Sequence, residues 1–416
     1  MKLCVLGQGY IGLPTALLFA KNGCEVVGVD INELIISSLT NKKITIEEEG
    51  LQDILIEVTD NGNYHAKSSP EKADAFIITV PTPYIKSNYG CDLTYVISAC
   101  ESILPYLDKG NLVIIESTIA PLSMKNVIAP LFEKKGFVIG KDLFLAHCPE
   151  RVLPGNLIYE LINNNRIVGG MTENSTKKAA NVYNIFVKGN IVETTSEVAE
   201  MSKCMENTFR DVNIALANEL VKICSDIDVN ALDVIKIANQ HPRVNIHSPG
   251  PGVGGHCLAI DPYFIYAVAP NNANIIKLSR EVNESMPKFV VEKTKKIMKN
   301  YADNSIISVF GVAYKGNSDD DRESPAYKII NQLTENYNIK IYDPHIEKYN
   351  NSFENVVEDS SLILVLTDHD EFKDMDYEVL MKKMKNTIIF DTKDIINDNV
   401  PDGIYLFNYG NIYLIN

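Results

Sequence analysis

The residues best suited to covalent chemistry lie in a glycine-rich run that ends in a cysteine. Pro249–Cys257 is PGPGVGGHC, and Asp261 follows it closely. Four glycines within Gly250–Gly255 form no regular element and let a ligand approach the backbone closely. A thiol at the end of such a loop is placed as a nucleophile. In a dehydrogenase it can form a thiohemiacetal with an aldehyde, which passes hydride to a nicotinamide cofactor and leaves a thioester for hydrolysis. The alternative is that Cys257 is a buried, small apolar residue.

A second glycine pattern lies near the N-terminus. Leu3–Leu6 is predicted to be a strand, Gly7–Gly12 is a GxGxxG turn, and Leu13–Asn22 is predicted to be a helix. A second predicted strand, Glu25–Val29, is followed by the acid Asp30. The glycines allow a tight turn, so that amide groups and the helix N-terminus can approach a pyrophosphate. The acid would accept hydrogen bonds from a ribose and repel a 2′-phosphate. The unit predicts NAD binding in preference to NADP, with a purely structural turn as the alternative.

The surrounding elements predict doubly wound α/β architecture. Further strands are predicted at Ala75–Val80, Leu112–Glu116 and Leu143–Ala146, separated by helix-length segments. Such alternation is typical of a parallel sheet covered by helices on both faces. The first domain is therefore predicted to extend to about residue 195.

A second α/β region is predicted to begin near Asn304. Its predicted strands and helix are, in chain order, Ile306–Phe310, Pro325–Asn336 (the helix), Ile339–Tyr342, Leu362–Leu366 and Thr387–Phe390. Its first turn, GVAYKG, lacks the GxGxxG fingerprint. The pattern predicts a different phosphorylated ligand at the strand ends, with Lys315 and Arg322 as available cations. An ordinary loop with both cations solvated is the alternative.

Between these regions, residues 197 to about 226 have helical periodicity and contain neither Gly nor Pro. At about 100° per residue, one apolar stripe contains Val198, Met201, Met205, Phe209, Val212 and Leu216. Lys203, Asn207 and Arg210 lie on the opposite face, where they could face either solvent or a ligand. At 1.5 Å per residue the helix would be about 45 Å long, which suits a connector and a dimer interface. The predicted domains are thus 1–195 (dinucleotide-binding), 196–300 (central, helical) and 301–416 (Rossmann-like).

Composition excludes several classes of protein. The chain has 416 residues, 39 Lys and Arg against 54 Asp and Glu, and a net charge of −15, so no general affinity for nucleic acid or anionic membranes is expected. The eight cysteines show no CxxC or zinc-ligand spacing, which predicts reduced thiols and no metal site. His65, His247, His345 and His369 are predicted to be surface or structural residues. The pattern shows neither a secretory signal nor a membrane-length apolar stretch, which predicts a cytoplasmic protein.

Over essentially its whole length the chain resembles the UDP-glucose/GDP-mannose dehydrogenase family. The motifs that carry the resemblance are GQGYIGLP near the N-terminus, VPTP at Val80–Pro83, EST at Glu116–Thr118, CPERVLPGN at Cys148–Asn156, the helix Glu200–Glu219, the cysteine loop, GVAYKGNSDDDRESPA at Gly311–Ala326 and DTKD at Asp391–Asp394. The resemblance implies two Rossmann-like domains joined by a helical region. It also implies NAD as cofactor, two-step oxidation of a sugar-nucleotide 6-hydroxyl to a carboxylate, and a homodimer or higher homo-oligomer.

The same resemblance implies roles for individual residues. Cys257 would be the nucleophile of the second oxidation, while Lys203 (as proton donor and acceptor) and Asn207 would hold the oxyanion on C6. Glu150 and Asp261 would be the acid/base and water-positioning carboxylates, and Thr118 would help to hold the water. Substrate contacts are implied for Arg151, Val152, Lys203, Asn207, Arg210, His241, Arg243, Gly254, Tyr314, Lys315 and Lys393. NAD contacts are implied for Gly7, Gly9, Tyr10, Ile11, Gly12, Asp30, Thr82, Thr118 and Arg322.

Within the family, HPRVN at His241–Asn245 and the run Pro249–Phe264 are similar to the branch that oxidises UDP-N-acetyl-D-mannosamine. UDP-glucose enzymes carry a GGSCFPKD-like run, in which this chain replaces the serine, proline and lysine by His256, Ala259 and Ile260. UDP-N-acetylglucosamine and UDP-glucose remain alternative substrates. Two other classes also remain: a non-catalytic nucleotide-binding protein, and a two-electron hydroxyacid dehydrogenase that would not need Cys257.

Overall fold

The computed structural model describes residues 1–46, 48–152, 155–301, 305–397 and 399–415. The chain divides into two compact units, Met1–Glu206 with Tyr263–Pro270 and Asn207–Pro262 with Asn271–Asn416. Asn304, where the sequence predicts the second α/β region to begin, lies outside the described residues, as do Leu153 and Pro154 of the CPERVLPGN motif. The three-domain boundaries stay a prediction.

The first unit is built on an eight-stranded sheet of order β10-β9-β8-β7-β4-β1-β2-β3. Its strands are β1 (Lys2–Leu6), β2 (Glu25–Val29), β3 (Tyr64–Lys67), β4 (Ala75–Ile78), β7 (Leu112–Ile115), β8 (Phe144–His147), β9 (Arg166–Gly170) and β10 (Ile191–Thr195), and β5 (Tyr84–Ile85) and β6 (Gly90–Cys91) form a separate hairpin. Neighbouring strands of the sheet are parallel except β8 and β9. The central strands β4 and β7 are continuous, fully buried apolar runs, as expected for strands covered by helices on both faces.

Helices bury the two faces of this sheet separately. They are α1 (Gly12–Lys21), α2 (Glu33–Thr40), α3 (Leu51–Asp60), α4 (Thr94–Ile103), α5 (Ala129–Glu133), α6 (Leu157–Asn163) and α7 (Glu173–Tyr183). Leu3 and Val5 of β1 pack with residues of α1, α3, α6 and α7, whereas Cys4 and Leu6 pack with residues of α4 and α5. This alternation follows from the two-residue period of a strand. The β5–β6 hairpin is held by stacking of Tyr84 and Tyr89 on Tyr263, with ring centroids 5.2 and 4.8 Å away.

The predicted long helix is α8 (Ser196–Asp226), with 31 residues. Its apolar stripe is largely exposed: Val198, Met205, Phe209 and Leu216 have relative exposures of 51%, 48%, 59% and 56%. Asn207, on the polar face, is only 8% exposed. Lys203 and Arg210 of the polar face are half-buried and exposed, so in the described chain burial follows neither the apolar stripe nor the whole polar face.

The second unit contains a five-stranded parallel sheet of order β12-β11-β13-β14-β15. The strands are β11 (Ile306–Phe310), β12 (Asn338–Tyr342), β13 (Ser360–Val365), β14 (Ile388–Asp391) and β15 (Tyr405–Asn408). The remaining helices of the chain are α9 (Ala231–Ala238), α10 (Asp261–Val268), α11 (Asn274–Ile297), α12 (Pro325–Leu333), α13 (Phe353–Val357) and α14 (Tyr377–Lys383). Two helix-covered parallel sheets and a long helix confirm the predicted fold class.

None of the described helices is both long enough and apolar enough to span a membrane.

Candidate active site

The first candidate element is the turn between β1 and α1. Gly7 has φ +92°, and a Cβ on Gly12 would lie 1.9 Å from the carbonyl oxygen of Gly7, so both positions require glycine. A Cβ on Gly9, by contrast, would meet no atom of the described residues within 4 Å. The backbone at Gly9 is therefore open to a ligand, as a turn that binds a pyrophosphate needs. Tyr10 beside it is 41% exposed, and Ile11 is half-buried.

Asp30 completes this element at the end of β2. One of its carboxylate oxygens accepts from the Gln8 amide at 2.8 Å and the other from the Asn32 amide at 2.9 Å. Because the carboxylate is fixed beside the glycine turn and only half-buried, it fits the acceptor that a ribose requires. Thr82, also predicted to contact NAD, is half-buried in the segment after β4. The open turn together with Asp30 fits an NAD molecule.

A buried ionic cluster lies in the same unit and contains Glu150. Arg166, 4% exposed, pairs with Glu150 through one guanidinium nitrogen and with Glu116 through the other. The Tyr183 hydroxyl donates to Glu116 at 2.5 Å, and the Arg166 guanidinium lies 4.3 Å from the centroid of the Tyr183 ring. Sequence reasoning missed Arg166 and Tyr183, and it included Glu116 in a motif without giving it a role.

The neighbouring predicted residues are held by polar contacts. Glu150 also accepts from the Arg151 amide at 2.7 Å, and the Arg151 guanidinium forms a two-point ion pair with Glu206 at 3.0 and 2.7 Å. Val152, Thr118 and Lys203 are half-buried. Arg151 is thus already paired with a carboxylate of its own unit, a partner that the sequence did not predict.

Glu200 anchors the part of α8 that carries Lys203. Its carboxylate accepts from the amides of Leu122 and Met124, each at 2.7 Å. Burial raises the pKa of Glu200 to about 7, although these two amides act in the opposite direction. The segment that follows Thr118 is therefore fixed to the helix one turn before Lys203.

In the second unit, the structure brings Asn207 and Asp261 together. The Asn207 amide donates to the Asp261 carboxylate at 2.6 Å, and both side chains are buried. Asp261 is the first residue of α10, and its backbone amide donates to the Cys257 carbonyl at 2.9 Å. The Cys257–Asp261 turn and the hydrogen bond between Asp261 and Asn207 thus connect Cys257 with both of these polar residues.

Hydrogen bonds also fix the glycine-rich loop itself. The Gly250 amide donates to Asn218 on α8 at 2.9 Å, and Asn218 donates to Asn283 on α11 at 2.9 Å. At the other end of the loop, the Gly255 amide donates to the Arg322 carbonyl at 3.2 Å. A Cβ on Gly254 would lie 2.9 Å from the Glu323 carbonyl oxygen, so the loop packs closely against the Gly311–Ala326 segment.

Cys257 differs from the other cysteines in exposure. All eight belong to the described part of the chain; Cys257 is exposed, Cys91 is half-buried and the remaining six are buried. Arg322 forms a two-point ion pair with Asp320 at 2.8 and 2.6 Å. That hydrogen bond is the main cause of the raised pKa of Arg322, and the negative charge of an ionised Cys257 contributes less. Asp320 is therefore the main charge partner of Arg322.

The predicted nucleotide contacts follow the ends of β11 and β14. Tyr314 is half-buried beside Gly254 and Gly255, and Lys315 is exposed. The Lys393 ammonium lies 3.3 Å from the Asp368 carboxylate, with the Lys393 side chain 23% exposed. These side chains lie at the carboxyl edge of the second sheet, where doubly wound proteins bind ligands.

Hydrogen bonds attach the end of the HPRVN segment to α8. Asn213 donates to the Asn245 carbonyl at 2.8 Å and accepts from the His247 amide at 2.8 Å. His241, Arg243 and Arg210 are exposed. The substrate role of these three side chains stays a prediction.

Two of the histidines that the sequence assigns to surface or structural roles lie close to an acid. His345, His369 and Glu371 place potential ligand atoms within 4.8 Å of one another. His369 is fully buried, however; its Nδ1 accepts from the Asn317 amide at 2.9 Å, and its Nε2 hydrogen-bonds Asp343 at 3.2 Å. Both ring nitrogens of His369 are therefore used by the protein itself, which fits a structural role.

Comparison with known proteins agrees with this geometry. The NAD binding domain of the UDP-glucose/GDP-mannose dehydrogenase family matches residues 1–187, its central domain matches 197–285, and its UDP binding domain matches 308–398. A UDP-N-acetyl-D-mannosamine dehydrogenase of Methanococcus vannielii is 48% identical over 410 residues, which cover 96% of this chain and 94% of that protein.

Other relatives extend the comparison. The structure of a UDP-N-acetyl-mannosamine dehydrogenase from S. aureus is 50% identical with a TM-score of 0.94, and the match covers all of both chains. An NDP-N-acetyl-D-galactosaminuronic acid dehydrogenase of Ralstonia solanacearum is 39% identical and covers 94% of this chain and 95% of that protein.

The dinucleotide turn, the second parallel sheet and the exposed cysteine define an NAD-dependent dehydrogenase of nucleotide-linked substrates. The chain belongs to the UDP-glucose/GDP-mannose dehydrogenase family.

Proposed function

We propose that the protein catalyses the four-electron oxidation of UDP-N-acetyl-D-mannosamine to the uronate, with two NAD and one water consumed per substrate. The observation that carries the proposal is the exposed Cys257. Its backbone carbonyl accepts from the backbone amide of Asp261, and the Asp261 carboxylate accepts from the Asn207 side chain. A two-electron hydroxyacid dehydrogenase has no use for such a thiol. The close relatives named for this substrate support the choice of sugar.

The first oxidation needs a fixed site for the oxygen on C6. Lys203 and Asn207 lie one turn apart on α8, so their side chains project in similar directions. Lys203 would take the hydroxyl proton and, with Asn207, hold the developing oxyanion. A cation and an amide aimed at that charge are worth several kcal/mol in a site that excludes water. The bound cofactor would supply the hydride acceptor.

The second oxidation uses the thiol. The sulfur of Cys257 would add to the aldehyde carbon as a thiolate, the nucleophilic form of a cysteine. The thiohemiacetal would lose its hydroxyl proton and give its hydride to the second NAD, which would leave a thioester on Cys257 for water to hydrolyse. Glu150 would act as the base for that water, and Asp261 with Thr118 would hold it in place.

The substrate is doubly anionic, whereas the chain has a net charge of −15. Local cations must therefore hold the diphosphate. We assign this role to Lys315 and Lys393 with Tyr314, at the strand ends of the second sheet, and we assign sugar-side contacts to Arg151, Val152, Arg210, His241, Arg243 and Gly254. A thiol nucleophile requires a reducing compartment, so we propose that the enzyme acts in the cytoplasm.

The experiment that tests the function counts NADH. Purified protein would be given limiting UDP-N-acetyl-D-mannosamine, UDP-N-acetylglucosamine, UDP-N-acetylgalactosamine or UDP-glucose with excess NAD. We expect two NADH per UDP-N-acetyl-D-mannosamine and little from the other sugars. Two NADH from a different sugar would keep the chemistry and reject the substrate, whereas one NADH per substrate would reject the thioester route.

Cys257→Ser separates the two oxidations. The variant should lose carboxylate formation by at least about a thousandfold, because an alcohol is a far weaker nucleophile than a thiolate. Its thermal stability should be unchanged, since Cys257 is exposed. Cys224→Ser, at a buried position in the second unit, is the matched control and should retain two NADH per substrate. Wild-type carboxylate yield from Cys257→Ser would contradict the proposal.

We also propose that the enzyme is a homodimer or larger homo-oligomer that buries the apolar stripe of α8. The support is the exposure of Val198, Met205, Phe209 and Leu216, since a large apolar stripe left in water is unfavourable. Phe209→Asp should shift the protein toward the monomer in light scattering. Glu219→Gln, on the same helix, should leave the mass unchanged. A monomeric wild type at micromolar concentration would reject the proposal.

A further inference from the structure

One buried cation is shared by two carboxylates in the first unit. The Arg166 guanidinium pairs with Glu150 and with Glu116, and it also donates to the Cys148 carbonyl at 3.3 Å. The side-chain exposures are 4% for Arg166, 10% for Glu150 and 0% for Glu116. The cluster therefore holds two potential negative charges against one positive charge in an environment that screens them poorly.

The two carboxylates are held differently. Glu116 is enclosed: it accepts from Tyr183 at 2.5 Å and lies 3.5 Å from the hydroxyl of Thr15. Glu150 lies at the edge of the cluster, where its second oxygen accepts from the Arg151 amide at 2.7 Å. Both carboxylates compete for the same guanidinium, so a change at one end alters the charge state at the other.

We propose that Arg166 is the positioning residue of Glu150, fixing its orientation and ionised state, and that Glu116 limits how strongly Arg166 can do so. The inference rests on the proposed function, in which Glu150 is the base for thioester hydrolysis. In that step, Glu150 accepts a proton from water as the water oxygen bonds to the thioester carbon. The carbon–sulfur bond then breaks, and the sulfur leaves as the thiolate of Cys257.

The geometry predicts opposite effects from the two ends of the cluster. Arg166→Lys keeps a charge but can no longer pair with both carboxylates in the same two-pronged way. With weaker support for the ionised form, the acidic limb of the hydrolysis rate should move to higher pH by about one unit. Glu116→Gln removes the competing charge, so the same limb should move to lower pH.

The measurement is the decay of the thioester on Cys257, followed by mass spectrometry from pH 5 to 9. The thioester would be formed with stoichiometric UDP-N-acetyl-D-mannosamine and excess NAD. A variant that is merely destabilised lowers the amplitude at all pH values without moving the limb. Arg280→Lys is the matched control, because Arg280 is also buried and the carboxylate with which it pairs, at 2.6 Å, is that of Asp211. Its acidic limb should coincide with that of the wild type.

Each outcome decides between the proposals. Opposite shifts in Arg166→Lys and Glu116→Gln support the inference; unmoved limbs, or shifts in one direction, overturn it. If Arg166→Lys does not fold, the double variant Arg166→Met with Glu116→Gln removes the cation and the enclosed carboxylate together. Glu150, which is 10% exposed, then lacks its cation, so the limb should still move to higher pH. Glu150→Gln distinguishes the failures: slow decay there with unmoved limbs rejects only the positioning role. Absence of NADH and thioester from every UDP-sugar would reject the proposed function as well.

Discussion

The two sheets have a similar first strand and turn, but the backbone amides of the two turns have different hydrogen-bond partners. After β1, five residues lead to α1, and the first glycine has φ +92°. After β11, fourteen residues lead to α12, and the first glycine, Gly311, has φ +87°. The backbone leaves both strands in the same unusual conformation, but only the short turn brings a helix N-terminus immediately to the strand end.

The acids that follow the second strand of each sheet also differ. Asp30 accepts from one amide of the glycine turn, at Gln8, and remains half-buried. Asp343 is fully buried and accepts from the amides of Val312 and Ala313 at 2.7 and 3.1 Å, and its other oxygen accepts from His345 and Ile346. The second turn therefore holds an internal anion where the first is open to a bound one.

This difference explains how one topology can serve two ligands. Where the turn amides are open, the backbone itself can bind a phosphate. Where Asp343 already occupies the amides, anion binding must come from side chains such as Lys315 and Lys393.

The largest effect is expected from Gly12→Ala. Its Cβ would lie 1.9 Å from the Gly7 carbonyl oxygen and 2.2 Å from Oγ1 of Thr79, and the backbone cannot easily move. The free energy of unfolding should fall by about 3 kcal/mol or more, as measured in urea. A variant as stable as the wild type would show that the first turn tolerates a side chain and that the contrast is wrong.

A smaller loss is expected from Asp343→Asn, at about 2 kcal/mol, because an amide cannot accept from all of these backbone groups. Burial acts to raise the pKa of Asp343, but hydrogen bonds from His369 and from Val312 and Ala313 outweigh it, so the pKa is lowered. The stability that this provides is present above the unfolded pKa near 4 and is lost as the pH falls through the folded value. Thermal denaturation between pH 3 and 7 should show this loss in the wild type and much less of it in the variant.

Asp30→Asn is the matched control for that prediction. It should leave the melting temperature nearly unchanged but weaken NAD binding. Equal destabilisation by the two substitutions would remove the distinction between an internal anion and a ligand-facing one.

Lys393→Met should raise the KM for the UDP-sugar about tenfold, or about 1.4 kcal/mol, without altering the melting temperature. The reason is that side-chain cations, and not turn amides, hold the anion in the second sheet. Lys382→Met, at an exposed position on α14, serves as the control and should have wild-type kinetics. An unchanged KM in Lys393→Met would mean that this side-chain cation does not hold the anion and that backbone amides bind it instead.

Gly9→Ala should have the smallest effect. With no described atom within 4 Å of the new Cβ, folding stability should be unchanged, while the KM for NAD rises about fivefold because the Cβ enters ligand space. Saturation kinetics in NAD would measure it. A loss of stability would mean that this side of the turn is packed rather than open.

Local patterns predicted much of the fold. The strands Glu25–Val29 and Ile306–Phe310 have the predicted bounds, because each is mostly apolar and is followed directly by an acid or a glycine. The β8 strand is one residue later than predicted, at Phe144–His147, since a buried run does not by itself define its ends. The resemblance to a family likewise indicated Asn207 and Asp261, which the structure joins.

Contacts between distant strands were beyond such reasoning. Arg166 pairs with Glu116 fifty positions away, and Asp343 with Val312 thirty-one positions away, so no spacing rule connects them. The periodicity of α8 placed Val198, Phe209 and Leu216 on one apolar stripe, and all three are exposed. It did not predict which face is buried, because the choice depends on what packs against the helix.

The exposure of Cys257 makes this thiol accessible to selective chemical labelling. Burial raises the pKa of Cys4 to about 11 and of Cys100 to about 12, which keeps both thiols protonated and unreactive. A mild alkylating reagent should therefore modify Cys257 first and add one mass increment per chain. The fraction of chains that gain that increment would count the working active sites in any preparation, without a substrate and without a rate measurement.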